Sequence, residues 1–321
     1  MTSPDYHPWV CRLAIVTACA ALVLTIPMGA QVTTTGAGMA FPDWPTSDGH
    51  NMFLYPWLQS AGDKFLEHGH RLAGSLVGML SIALAFVTWK LESRRWVRFL
   101  GLAVLGTVIF QGILGGKRVL LDARGLALLH GVFASWTFAL MISAALVTSR
   151  GWISPPAPPA NWSRSWKWSA LTTTLLVAVQ YFLGAVVRHR GTVIYEHAGF
   201  AFLVLLAALW TAYGAVSSGT GWLRRPAVLL TVAAVLQIAL GLVTYVVKFG
   251  LGETVVTQGS LLQVTIRTSH VLLGMLVWST AVVCTLRTWR IDALVQDRQA
   301  RPAGVTVPEF QRSLTMPGGL G

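Results

Sequence analysis

Four histidines carry the chemistry legible in this 321-residue sequence: His70, His130, His197 and His270. Each lies near the start of a long apolar stretch, where an ionisable side chain is costly and tends to be functional. Neutral imidazole is a good axial ligand for haem iron, and two imidazoles on opposite faces of a porphyrin make a low-spin site. Two pairs allow two porphyrin sites. One such histidine alone would read as a satisfied core residue; four at matching positions favour metal ligation. The other histidines are less telling. His7 lies in the N-terminal tail and His50 in the first loop. His68 is two residues from His70, so it faces elsewhere on a helix. His189, in Arg188-His189-Arg190, reads as a solvated or propionate-facing loop residue.

One carboxylate stands beside this set. In Glu67-His68-Gly69-His70-Arg71, Glu67 and His70 are three apart and share a helix face. A carboxylate next to an iron site is a candidate for proton transfer or radical stabilisation. The plainer reading is a helix-end glutamate favoured by the dipole. In the second half Ile194 occupies the aligned position and Glu196 points away from His197, so the first half has the reactive look.

The elements that hold these residues are membrane helices. The chain is 54% hydrophobic and 11% charged, less than half the ~25% of a soluble domain, with a mean hydropathy of +0.60. That excludes a soluble enzyme, a disordered regulator and a disulfide scaffold. Eight stretches suit membrane helices of about 20 apolar residues: roughly 13–33, 68–89, 99–117, 126–149, 168–188, 196–217, 226–248 and 268–288. The first also has a signal-peptide look, but its length and the repeat described below favour a retained helix. The expected fold is an all-α membrane protein of eight transmembrane helices in two duplicated four-helix bundles. Residues 1–150 form the N-terminal half, 151–167 a Pro-rich cytoplasmic linker, 168–290 the C-terminal half and 291–321 a disordered tail.

The net charge of +12 reads as topology rather than nucleic-acid binding, because the basic residues form no continuous stripe. Fifteen of the 24 Lys and Arg fall on the side of the N-terminus, which predicts cytoplasmic N- and C-termini. The nine outer ones have room for a second task. Arg71, Lys117, Arg118, Arg188, Arg190, Lys248 and Arg267 suit haem propionates. Cys11, Cys19 and Cys284 form no CxxC, so neither a zinc site nor a disulfide framework is expected.

The odd spans share an ending: Met28-Gly29-Ala30, then Gln111 to Gly115, Gln180 to Gly184 and Gln237 to Gly241, the last three reading Q-x-x-L-G. Each even span opens with one of the four histidines. The chain therefore reads as four variations on one outward hairpin, a mark of duplicated membrane architectures. The glycines read as close helix packing, and the glutamines as bonds across helices.

At these residues the chain resembles the haem A synthase family of eight-helix membrane oxidoreductases, over roughly residues 13–288. The resemblance rests on Glu67-His68-Gly69-His70-Arg71 as an E-x-x-H-R motif and on the first-loop stretch Gly29 to Gly38 with Pro42-Asp43-Trp44-Pro45. Leu129-His130, His197 and His270 complete it. It implies oxidation of the haem O ring methyl to a formyl group, giving haem A for cytochrome oxidases. It also implies substrate haem between His70 and His130, a haem b cofactor between His197 and His270, and Glu67 as the catalytic carboxylate. The implied setting is the cell inner membrane, with an unidentified electron donor; the pathway alone adds haem O synthase or oxidase assembly factors. The sequence departs from many bacterial members in lacking an outer-loop cysteine pair, and the loop between the fifth and sixth spans is short. Two other classes remain open: a bis-histidine cytochrome b that only passes electrons, and a haem carrier or chaperone.

Overall fold

A computed structural model describes residues 6–250, 257 and 259–300. Among them are eight helices long and apolar enough to cross a membrane: α1 Pro8–Thr35, α2 Gly62–Leu91, α3 Arg95–Leu120, α4 Arg124–Val147, α5 Ser165–Arg190, α6 Ile194–Ser217, α7 Gly221–Phe249 and α8 Leu261–Ala300. With their lipid-facing rows of exposed leucine, valine and phenylalanine, they make this a multi-pass membrane protein. Every expected span has its helix; most helices run a few residues past the apolar stretch that predicts them, α4 stops two residues short of its expected end, and α8 continues twelve residues past its own.

Local chemistry sets the ends. Pro8 opens α1, where its missing N–H is no loss. A π-helical turn at Ala21–Thr25 precedes Pro27, which likewise has no N–H to donate. Gly36, at φ 82°, ends α1 in the left-handed region, and Gly191, at φ 71°, ends α5 the same way. Between α2 and α3, Glu92 is buried against Arg94, with two contacts of 2.8 Å from the guanidinium. Burial pushes its carboxyl pKa up, but the Arg94 hydrogen bonds outweigh this and hold it below the usual value.

The two halves repeat one packing pattern. α1 touches α2 and α4, and α3 lies between α2 and α4; α5 touches α6 and α8, and α7 lies between α6 and α8. The halves meet along α4 against α5 and α8, and α1 against α8. Trp278 of α8 donates its indole N–H to the Ser135 carbonyl of α4 at 2.8 Å and packs edge-on against Trp136. The shared core is made of small residues (Ala14, Ala18, Ala139, Ala170, Ala208, Ala281) around Phe138, Met141, Met275 and Trp278. This fits membrane helices, whose association rests on close packing rather than hydrophobic exclusion.

The linker holds a short helical turn, Arg150–Ile153, followed by a non-helical run to Arg164. The expected tail starts later than residue 291. α8 continues to Ala300 with Ile291 and Asp292 buried. Asp292 forms an ion pair with Lys167 and accepts the Trp162 indole N–H at 3.0 Å, which holds this polar stretch against α5. The rest of that tail, 301–321, lies outside the described residues.

Candidate functional site

The helix order brings the four histidines to one end of the bundle as two pairs. His70 of α2 faces His130 of α4, with ring centroids 6.3 Å apart and planes at 85°. His197 of α6 faces His270 of α8 at 6.4 Å and 78°. Each ring lies against the glycine of the preceding odd helix. A Cβ on Gly29 would stand 2.8 Å from His70 Cε1, on Gly115 3.3 Å from His130 Cε1, on Gly184 2.9 Å from His197 Cε1, and on Gly241 3.2 Å from His270 Cε1. The glycines thus do more than let helices approach: each leaves the space its imidazole occupies. The glutamines complete the repeat. Gln111, Gln180 and Gln237 donate their side-chain N–H to the backbone carbonyls of His130, His197 and His270 at 3.3, 2.9 and 3.0 Å. In the first hairpin Thr25 stands where the glutamine would be. Its backbone carbonyl accepts from His70 Nδ1 at 3.0 Å.

That bond fixes the His70 tautomer, with the proton on Nδ1 and a free lone pair on Nε2, the orientation expected of a metal-ligating imidazole. In the other three rings Nδ1 is buried without a partner. The pairs fit a porphyrin. Two imidazoles on one metal ion, with bonds of about 2 Å and each ring centre about 1 Å behind its nitrogen, put ring centres about 6 Å apart. Among the described residues no group of three or more His, Cys, Asp or Glu could hold a bare ion, so the paired arrangement suits a macrocycle that brings its own equatorial nitrogens.

Beside the first pair, a loop is tied by charge to the ends of α2 and α3. Glu67 is 3% exposed. Its Oε1 pairs with Arg71 at 2.7 Å, and its Oε2 accepts the backbone N–H groups of Ala40 and Phe41 at 2.8 and 3.3 Å. Arg71 spends its other terminal nitrogen on the carbonyls of Asp43 and Thr46 at 3.0 and 2.8 Å. Arg118 of α3 reaches the Gly38 carbonyl and lies within electrostatic reach of Glu67, His70 and His130. His68 does face away from His70. It is buried, bonded through Nδ1 to Ser47 Oγ at 3.1 Å, and set against Phe41 and Tyr55.

Residues 12–195 match the cytochrome oxidase assembly protein family, more than half of the chain. The chain belongs to this family. The matched stretch holds Glu67, His70 and His130 and stops just short of His197. Among curated proteins, the chain is 30% identical over 190 residues to a heme A synthase of Shouchella clausii, covering 57% of this chain and 60% of that one. It is 32% identical over 182 residues to one of Symbiobacterium thermophilum, covering 54% and 57%. A heme A synthase of Alkalihalophilus pseudofirmus is 28% identical over 180 residues, covering 55% and 58%. The chain thus spans about six tenths of the length of the curated relatives it matches.

The basic residues at the histidine end differ in how far they are engaged. Arg71 is committed to Glu67 and the loop. Arg118 and Arg188 are partly engaged, Arg188 crossing from the second half to Ala30 O and Thr34 Oγ1 of α1. Arg188, Lys248 and Arg267 lie close enough to repel one another, beside the second histidine pair, and none forms an ion pair among the described residues. Lys117, Arg190 and Arg124 likewise form none. His189, expected in a loop, belongs to α5, where its Nε2 lies 3.4 Å from where Gly131 would carry a Cβ, next to His130. Gly131 directly after His130 was the one available signal. Nothing in the sequence marked the Thr25 carbonyl. Cys11, Cys19 and Cys284 are all free.

Proposed function

We propose that this protein oxidises a ring methyl of haem O to a formyl group, yielding haem A for cytochrome oxidase. The observation that carries the reading is the pair of matched imidazole couples, each spaced for one iron, in a chain of this family. In this reading His70 and His130 hold the substrate haem, while His197 and His270 hold a haem b cofactor. When bound, haem b supplies the one-electron redox chemistry that side chains lack.

The chain's own residues bind, orient and shield. The Thr25 carbonyl holds the His70 ring and leaves Nε2 toward the pair. The glycines and glutamines set the other rings. Arg188, Lys248 and Arg267 form an unneutralised cationic patch that suits propionates of the second haem; Arg118, Lys117 and Arg190 suit those of the first, with Arg71 positioned to contribute only by releasing the loop. Glu67 is the catalytic carboxylate in this reading. Its Oε1 accepts only from Arg71 and keeps a lone pair for a proton; a proton there would neutralise the carboxylate that holds Arg71. This couples proton movement to the loop beside the substrate pair.

The setting that goes with this is the cell inner membrane, both termini cytoplasmic, with an electron donor as redox partner and haem O synthase or oxidase assembly factors as neighbours. Residues 1–150 then form the substrate half and 168–290 the cofactor half. The test is pigment extraction from purified protein, with chromatography and mass analysis. Haem b together with haem O, haem A or an oxidised intermediate supports the synthase. Haem b alone, with haem O supplied in the host membrane, overturns it in favour of an electron carrier.

A further inference from the structure

At the end of the bundle opposite the histidines, a cavity of about 820 Å³ opens between the Arg150–Ile153 turn, the start of α7 and the end of α8. Its polar wall includes Arg225, Arg287, Ser154 and Thr220. Neither arginine forms an ion pair among the described residues. Arg287 stacks on Trp222, with its guanidinium 4.9 Å from the ring centroid, and gives one terminal nitrogen to the Trp222 carbonyl at 2.7 Å. Its Nε is buried with no partner. The nearby acid on α8, Asp292, is already taken by Lys167 and Trp162. The cavity also sits at the N-terminus of α7, a 29-residue helix capped by Thr220, whose dipole adds positive potential.

Two arginines without an acidic partner thus face a cavity that has an apolar exit. From the cavity, Leu229 leads along α7 to Val232 and Leu236, three residues on one helix face that are 45%, 49% and 53% exposed. We infer that the cavity binds an anionic phospholipid, its phosphate held by Arg225 and Arg287 and its acyl chains lying along that stripe. Basic pockets between membrane helices on the cytoplasmic side are suited to such headgroups. A free phosphate would use the same arginines and leave the stripe to bulk lipid.

The test is equilibrium lipid retention by the full-length protein in detergent, read by native mass spectrometry. Phosphatidylglycerol is compared with phosphatidylcholine, and inorganic phosphate serves as competitor. Phosphatidylglycerol is expected to stay bound while phosphatidylcholine washes out. Its binding should weaken roughly tenfold or more in Arg225→Gln/Arg287→Gln and stay unchanged in Arg224→Gln, which removes a neighbouring charge outside the cavity wall. Equal retention of both lipids, or wild-type binding by the double variant, overturns the inference. Full displacement of phosphatidylglycerol by inorganic phosphate at equal concentration overturns the lipid assignment in favour of a free-anion site. Should the double variant fail to fold, Arg225→Gln alone, at an exposed side chain, must weaken binding about fivefold; no change there also overturns it. The readout is independent of haem, so it does not depend on the proposed oxidation.

Discussion

The two histidine pairs share one scaffold and differ in what surrounds them. Both have imidazoles a little over 6 Å apart, each against a glycine of the preceding helix. Around the first pair the protein adds a carboxylate, two arginines and a loop folded over the end of α2, joined by Glu67, Arg71 and Arg118. The α5–α6 connection at the second pair is only Gly191–Val193, and its nearby charge is Arg188, Lys248 and Arg267, with no buried acid beside them among the described residues. A site that only holds a cofactor needs ligands and counter-charge. A site that takes in a substrate and alters it also needs a cover and a group able to move a proton. The asymmetry runs in that direction.

The largest effect tests whether the halves are independent. His197→Ala or His270→Ala is expected to abolish the low-spin haem spectrum of the purified protein. His70→Ala and His130→Ala should leave that spectrum in place and stop conversion. If the first-half variants also erase it, the division into substrate and cofactor halves is wrong.

Next in size is the tie beside the first pair. Glu67→Ala leaves Arg71 buried without its partner, and breaking one side of a buried ion pair costs about 3–5 kcal/mol. Conversion should fall sharply and the amides of residues 38–47 should exchange faster with deuterium, while the second-half haem spectrum stays unchanged. Normal haem A production by this variant would remove Glu67 from the catalytic role and leave it as a loop anchor.

The glycines give a graded test within each half. A methyl group at Gly29 or Gly184 comes within 3.0 Å of the imidazole, whereas at Gly115 or Gly241 it stays 3.2 Å or more away. Groups that orient a metal ligand typically matter by about 10–100-fold in affinity. Gly184→Ala should therefore weaken haem retention toward that range and Gly241→Ala much less. Gly29→Ala should likewise impair conversion more than Gly115→Ala. Equal effects at all four would mean that the rings have slack and the glycines serve helix packing alone.

How much of this was legible in the sequence follows from what each feature depends on. Spans and histidine positions depend on composition and local spacing, so the eight helices and the matching places of the four histidines could be read directly, while the partners came with the family resemblance. The contact between Gly184 and His197 depends on how two helices are set against each other, and a small residue near a helix end reads equally well as packing. Arg188 reaching Ala30, or His189 lying beside Gly131, needs the interface between halves, for which the sequence carries no period. The end of α8 was missed for a different reason: Asp292 and its neighbours look like a solvated tail until Lys167 and Trp162, more than a hundred residues earlier, are brought against them. Glu67 was legible as an acid beside His70, but its ties to Ala40 and Phe41 were not, because they depend on the path of the loop.

The smallest effect concerns that loop alone. Asp43 accepts the backbone N–H groups of Asp48 and Gly49 at 3.0 and 2.9 Å. Its own carbonyl accepts from Arg71, so the turn is linked to the Glu67 tie. Partial burial pushes the Asp43 carboxyl pKa up, but the hydrogen bonds from Thr46, Gly49 and Asp48 outweigh it and hold it below 3.8. A depressed carboxyl contributes stability that is fully present above its unfolded value and is lost as pH falls through the folded one. Hydrogen-exchange protection of residues 43–49 should therefore be flat above pH 4 and decline below 3.8. Asp43→Asn should start lower and lose that decline. Because Asp43 is partly exposed, the change should stay local, and the second-half haem spectrum should not follow it. A parallel loss in both halves would mean that the loop and the second site unfold together, and the contrast between the two pairs would then not be a functional division.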